Sequence, residues 1–283
     1  MSKTTITVLC ENTAGRVSGV TGEHGFSALI EKDGQRILFD TGQGMSLGNN
    51  ARSLGVELTD IDRVILSHGH YDHTGGLPQV LYPPREVEII AHPDIFDHKY
   101  ALIEHEGRPY PYYIGIRFSR EYLEHNLQAR FQWQTAYTEI VPGIMYSGEV
   151  PRQTDFEYPD TRLQVKRNNQ FELDPLKDDI SLLIETDQGP VVLLGCAHAG
   201  VINVMKHFEA QTGHHQFHAV IGGTHLGFLS HKDQLERTIE AFESYQLQLV
   251  GVSHCTGQTA AAVCYSHFKE RFAFAHAGWS STF

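Results

Sequence analysis

Apolar positions along the chain fall into two runs of alternating short strands and helices, separated by a long stretch with no clear period. Residues 4–10 (Thr-Thr-Ile-Thr-Val-Leu-Cys) are β-branched and apolar and predict a strand. Runs at 26–31 and 36–40 flank Lys32-Asp-Gly, a hairpin turn. A helix is expected over 46–54, ended by Gly55 in the manner of a C-terminal glycine cap. Val64-Ile-Leu reads as a buried strand, a short helix begins near Thr74, and 86–91 is the next strand. The alternation resumes after residue 171. Segments 181–186 and 190–194 form a hairpin over Asp187-Gln-Gly, and a helix over 201–211 carries Val201, Val204, Met205 and Phe208 on one face. A strand at 219–221, an amphipathic helix over 232–245 through Leu235, Ile239 and Phe242, a strand at 248–252 and a helix over 259–272 complete the second run.

Charge and composition narrow the classes of function. The 283 residues hold 22 Lys and Arg against 34 Asp and Glu, a net charge of −12. That balance argues against a nucleic-acid partner, since phosphate contacts need clustered cations. With 41% hydrophobic and 20% charged residues the chain reads as an ordinary globule, and no apolar run approaches a membrane span. The four cysteines, Cys10, Cys196, Cys255 and Cys264, form no short-spaced pair. Reduced thiols and a cytoplasmic location are therefore the simpler expectation.

The chemistry concentrates at the end of the strand 64–66. The segment Ser67-His-Gly-His-Tyr-Asp-His packs His68, His70, Asp72 and His73 into six residues on the loop leaving a strand. Imidazole nitrogen and carboxylate oxygen suit zinc and related divalent ions, and such loops are where α/β sheets collect ligands. The chain has 18 histidines, so a histidine-rich surface loop is the alternative, but this dense pattern favours metal. Three further histidines follow short strands among small residues: His198, His225 and His254. Each alone reads as an ordinary polar residue, and together they become candidate ligands. His214, His215 and His218 read as surface loop, and His267 as riding a helix. The unpatterned stretch from about 93 to 171 is expected to be an insertion capping the metal face. Its Pro109-Tyr-Pro-Tyr-Tyr segment makes a poor helix and a poor central strand. Tyr110, Tyr112 and Tyr113 are expected to line a substrate pocket, the alternative being a packing flap away from substrate.

The pattern His-x-His-x-Asp-His closing a strand resembles the signature of the metallo-β-lactamase fold superfamily. Further pieces resemble the subgroup typified by 7,8-dihydropterin-6-methyl-4-(β-D-ribofuranosyl)-aminobenzene-5′-phosphate synthase. They are Glu23-His-Gly-Phe-Ser, Asp40-Thr-Gly-Gln, Gly148-Glu-Val-Pro-Arg, Gly195-Cys-Ala-His, Ile221-Gly-Gly-Thr-His-Leu and His254-Cys-Thr-Gly, spread over nearly the whole chain. The resemblance implies an α/β architecture, an αβ/βα sandwich with an inserted cap segment, in a single domain over 1–283. It implies two divalent metal ions, with zinc favoured and manganese or iron as alternatives. His68, His70 and a later histidine would hold one ion, and Asp72, His73 and His254 the other. Where the superfamily places a bridging Asp, this chain has Cys196 after Gly195. His198 is favoured as the missing ligand. Cys196 stays open as a thiolate ligand or a buried thiol, and Asp178 and Asp179 are a third option. Asp72 would orient or deprotonate a water, His225 would donate to a phosphate or oxyanion, and Asp40 would support the metal histidines.

The implied function is a dinuclear metal-dependent hydrolase using a metal-bound hydroxide on a small phosphorylated or ester substrate. A diiron oxygen-reducing role is disfavoured because that variant carries Glu where this chain has His70. Two alternatives remain, a synthase-like transferase joining a pterin to a ribosylaminobenzene phosphate, and a non-catalytic metal-containing ligand sensor. Small molecules are the expected partners, and self-association into a homo-oligomer is left open.

Overall fold

The computed structural model describes residues 3–228 and 233–283. The first run of the chain builds β1 (Thr5–Cys10), β2 (Ser27–Lys32), β3 (Gln35–Phe39), α1 (Leu47–Ser53), β4 (Arg63–Ile65), α2 (Tyr71–Thr74), α3 (Leu77–Leu81) and β5 (Val87–Ala91). The middle supplies β6 (Lys99–His105), β7 (Arg108–Tyr113), β8 (Ala129–Trp133), β9 (Thr138–Val141), β10 (Ile144–Tyr146), β11 (Leu163–Arg167) and β12 (Gln170–Leu173). The second run is β13 (Ser181–Ile184), β14 (Val191–Leu194), α4 (Val201–Thr212), β15 (Ala219–Gly223), α5 (Asp233–Ser244), β16 (Leu249–Ser253), α6 (Gln258–Phe268), β17 (Phe272–Phe274) and β18 (Ser280–Thr282). Lys232, the expected first residue of the helix before Tyr245, lies outside the described residues.

Two seven-stranded sheets stack face to face, in the orders β18-β1-β2-β3-β4-β5-β8 and β17-β16-β15-β14-β13-β10-β9. The two-residue period of a strand sends alternate side chains into different layers. In β3, Ile37 and Phe39 enter the core between the sheets, while Leu38 packs under α1 and α3 with Leu47, Ala51, Leu77 and Val80. In β14, Val191 and Leu193 face the opposing sheet, while Val192 and Leu194 meet Val201, Val204, Met205 and Phe208 of α4. β14 and residues 37–39 of β3 are buried on both faces and carry no polar position, which is why they read as continuous hydrophobic segments. Each such aliphatic side chain gains roughly 1.5–3 kcal/mol on leaving water. The result is the expected αβ/βα sandwich. Among the described residues no helix is long and apolar enough to cross a membrane.

The stretch from 93 to 171 is more ordered than its pattern suggests, and it is not all cap. β8 extends the first sheet beside β5, and β9 and β10 extend the second beside β13. Only β6, β7, β11 and β12 form a separate four-stranded sheet, in the order β12-β11-β6-β7. Pro109 and Pro111 lie on β7, an edge strand, where a missing N–H is tolerated. The last helix is shorter than expected, ending at Phe268, and β17 then pairs in parallel with β16.

Candidate metal centre

The second sheet presents three loops at one edge. β14, β15 and β16 run parallel, with Leu194 beside Gly222 and Gly222 beside Val252, so the chain leaves all three strands at one level. His198, His225 and His254 ride those exits. The loop after β4 meets them from the first sheet. Several turns pass through the left-handed region at non-glycine residues: Asp40, Ala197, His225 and His254 have φ of 59, 53, 55 and 49°. Such geometry costs about 1 kcal/mol or more each and clusters at functional sites. Gly69, between His68 and His70, runs so close to the Ile95 carbonyl that a side chain there would collide with it.

The six expected nitrogen and carboxylate ligands come together as two triads. His68 Nε2 lies 2.9 Å from His70 Nδ1 and 3.4 Å from His198 Nε2. His73 Nε2 lies 3.2 Å from His254 Nε2, which is 3.3 Å from Asp72 Oδ2. Metal–nitrogen bonds of 2.0–2.1 Å in a tetrahedron set ligand atoms about 3.3 Å apart. Both triads are close to that spacing, so their donor sets fit divalent ions. Burial and the neighbouring imidazoles hold His68 and His198 well below the usual histidine pKa, leaving lone pairs free. Burial holds His70 down in the same way. Burial would raise the Asp72 pKa, but His73, His24 and His254 outweigh it and keep the carboxylate well below its usual range.

A layer behind the triads aims them. Asp40 Oδ2 lies 2.7 Å from His73 Nδ1 and accepts from the Ser67 hydroxyl, while Oδ1 accepts from the Ser67 amide. Burial would lower the His73 pKa, but Asp40 and Asp72 push it up to about 9, the mark of a strongly basic nitrogen. Asn12 Oδ1 lies 2.8 Å from His254 Nδ1, and Glu11 accepts from the His254 amide. Asp178 and Asp179 also stand behind the loop, not between the triads. Asp178 accepts from the Gly69 amide and from Lys99, and Asp179 lies 3.9 Å from His68 Nδ1, the side facing away from the triad.

A cavity of about 240 Å³ opens over the triads. Its floor is His70, Asp72, His198 and His254, and its roof is Ala101, Leu102 and Ile103 of β6 with Ile114 and Leu163. His225 and Arg162 stand at one side, both on Asp160: His225 Nε2 is 3.3 Å from Asp160 Oδ2, and Arg162 donates to the same oxygen at 2.6 Å. Burial would lower the His225 pKa, but its contacts with Asp160 and Cys255 carry it up to about 9. The three tyrosines lie elsewhere than expected. Tyr110, Tyr112 and Tyr113 are exposed and none lines the cavity; their strand is the outer edge of the cap, and β6 takes the inner place.

Sequence reasoning did not single out His24, Asp160 or Cys255. His24 Nε2 lies 3.1 Å from Asp72 Oδ2, and Cys255 lines the cavity beside His254. The adjacency of Cys255 to His254 was the available signal for that residue; Asp160 had none.

Residues 20–254 match the family model of the metallo-beta-lactamase superfamily. The chain is 32% identical to 7,8-dihydropterin-6-methyl-4-(beta-D-ribofuranosyl)-aminobenzene-5′-phosphate synthase of Methanocaldococcus jannaschii, over 96% of this chain and 94% of that one. An uncharacterized protein of the same organism is 34% identical over 89% of this chain and 90% of its own. A solved metal-dependent hydrolase of the beta-lactamase superfamily superposes with a TM-score of 0.82 at 30% identity, covering 98% of both chains. With its histidine loop, two facing sheets and matching family model, the chain belongs to the metallo-beta-lactamase superfamily.

Proposed function

We propose that this protein is a dinuclear metal-dependent hydrolase acting on a small phosphorylated or ester substrate. The observation that carries this reading is that both donor triads reach the floor of one cavity, the first through His70 and His198 and the second through Asp72 and His254. His68, His70 and His198 would hold one divalent ion and Asp72, His73 and His254 the other, with zinc favoured by the nitrogen-rich set. Such ions, when bound, acidify water to near neutrality and polarise a substrate oxygen. The chain's own residues do the rest. Asp72 Oδ2 faces His24 and His254 and has the position to orient a water or take its proton. His225, with Nε2 turned to Asp160 and Nδ1 without a partner, donates to an oxygen of the substrate as negative charge develops there. The apolar roof of β6 excludes bulk water, and about 240 Å³ limits the substrate to a small molecule. Incubating the zinc-loaded protein with phosphodiesters, phosphomonoesters, lactones and pterin substrates tests this; turnover that requires the metal and incorporates solvent oxygen is expected. No hydrolysis of any class would remove the reading.

A second reading is favoured by the relative named as a synthase, which matches 96% of this chain. In it the same centre binds a ribosylaminobenzene phosphate and a pterin and joins them. Condensed product in the pterin assay, without hydrolysis elsewhere, would establish it.

A further inference from the structure

One side chain stands between the two triads. Cys196 is buried at the exit of β14, with Sγ 3.3 Å from His73 Nε2. Its sulfur lies within 4.8 Å of the donor atoms of His68 and His73, of His198 and His225, and of His254 and Cys255. Among the described residues it is the only side chain common to three of these clusters. Metal bonds of about 2.3 Å to sulfur and 2.0–2.1 Å to nitrogen put the two donor atoms of a tetrahedral centre about 3.5 Å apart. The Sγ–Nε2 separation is close to that value. Neither neighbouring carboxylate competes for the place, since Asp178 is occupied by Lys99 and Gly69 and Asp179 sits behind His68.

We propose that Cys196 is a thiolate ligand shared by the two metal positions, making this a mixed nitrogen, oxygen and sulfur centre. The proposal rests on the two-triad reading above. Binding as a thiolate would release the thiol proton to solvent, and Cys196 would then supply a sulfur donor to each metal position. A soft donor at the shared position selects thiophilic ions, zinc or iron(II), over manganese or magnesium. Cys255 is the natural control. Its sulfur is a hydrogen-bond acceptor for the His225 amide at 3.3 Å, and it belongs to one cluster, beside His254, not to both triads.

Cobalt(II) substitution under anaerobic conditions tests the assignment by absorption, without reference to turnover. A sulfur-to-cobalt charge-transfer band is expected in the wild type and in Cys255→Ser, and its loss is expected in Cys196→Asp and Cys196→Ser. Cys196→Asp should still bind two ions, and its zinc-to-manganese preference should fall. Near-ultraviolet circular dichroism establishes that each variant is folded, and Cys196→Ser decides the matter where Cys196→Asp is not. A band that survives in both Cys196 variants and vanishes in Cys255→Ser would overturn the proposal. So would two bound cobalt ions with no such band in the wild type, which leaves the two-triad reading standing. A wild type that binds no cobalt, zinc or iron would overturn both.

Discussion

Asp40, at the end of β3, and His73, 33 residues later, meet with Oδ2 2.7 Å from Nδ1. The carboxylate can only accept, so it fixes the proton on Nδ1 and turns the Nε2 lone pair toward His254 and Asp72. Asp40→Asn reverses this, because the amide nitrogen replacing Oδ2 donates to Nδ1 and moves the proton to Nε2. Metal affinity at the His73 position should fall by about 10- to 100-fold. Competition against a coloured chelator measures it, and an unchanged affinity would refute the role given to Asp40.

His198 and His225 touch, with ring centroids 4.3 Å apart, yet they have different tasks. His198→Ala should weaken binding of the ion held with His68 and His70 and nearly abolish turnover, because it removes one of the three nitrogen donors of that position. His225→Ala should keep both ions and slow turnover by about 100-fold, the usual loss for one oxyanion donor. Elemental analysis of the two variants separates them; loss of metal from His225→Ala alone would exchange their roles.

The cap meets substrate through β6. Ala101→Trp, on the inner strand, should fill much of the cavity and raise KM or abolish turnover while metal content stays intact. Tyr112→Ala, on the exposed strand, should leave both kinetic constants unchanged. The opposite pattern would return the tyrosines to the pocket.

Lys99 ties the cap to the metal loop. Its ammonium, buried on β6, lies 2.9 Å from Asp174 Oδ2 and 2.8 Å from Asp178 Oδ1, and Asp178 in turn accepts from the Gly69 amide. Lys99→Met strands two buried carboxylates, and breaking such a network typically costs about 3–5 kcal/mol. Chemical denaturation should show that loss together with weaker metal binding. A change below about 1 kcal/mol, the level of a surface pair, would mean the network is not structural.

Asp179 is pushed up to about 7 by burial, with Oδ1 lacking any hydrogen-bond partner. A carboxyl whose pKa is higher folded than unfolded holds its proton more tightly in the native state. Its contribution is therefore full below the unfolded value of about 3.9 and is lost as pH rises to about 7. In the metal-free protein Asp179→Asn should flatten the decline in stability across that window and leave the variant the more stable one at neutral pH. Denaturation midpoints at pH 4.5 and 7.5 decide it, and parallel declines in both proteins would count against the shift.

Local pattern by itself determined most of the framework. A strand such as β14 announces itself because burial on both faces removes every polar position, and Gly213 ends α4 with φ 79° as a glycine cap should. The four residues of the 68–73 loop were legible because their ligating groups are neighbours in sequence. Tertiary structure alone decided the rest. His68 and His198 are 130 residues apart and His73 and His254 are 181 apart, and no local spacing relates them. The parallel register of β14, β15 and β16 brings their exits to one edge, and that register carries His198 and His254 to their triads and His225 to the side of the cavity. The cap was illegible for a related reason. β12 is exposed throughout and β7 carries prolines, so neither shows a periodic face, and both are strands only because β11 and β6 supply hydrogen-bond partners.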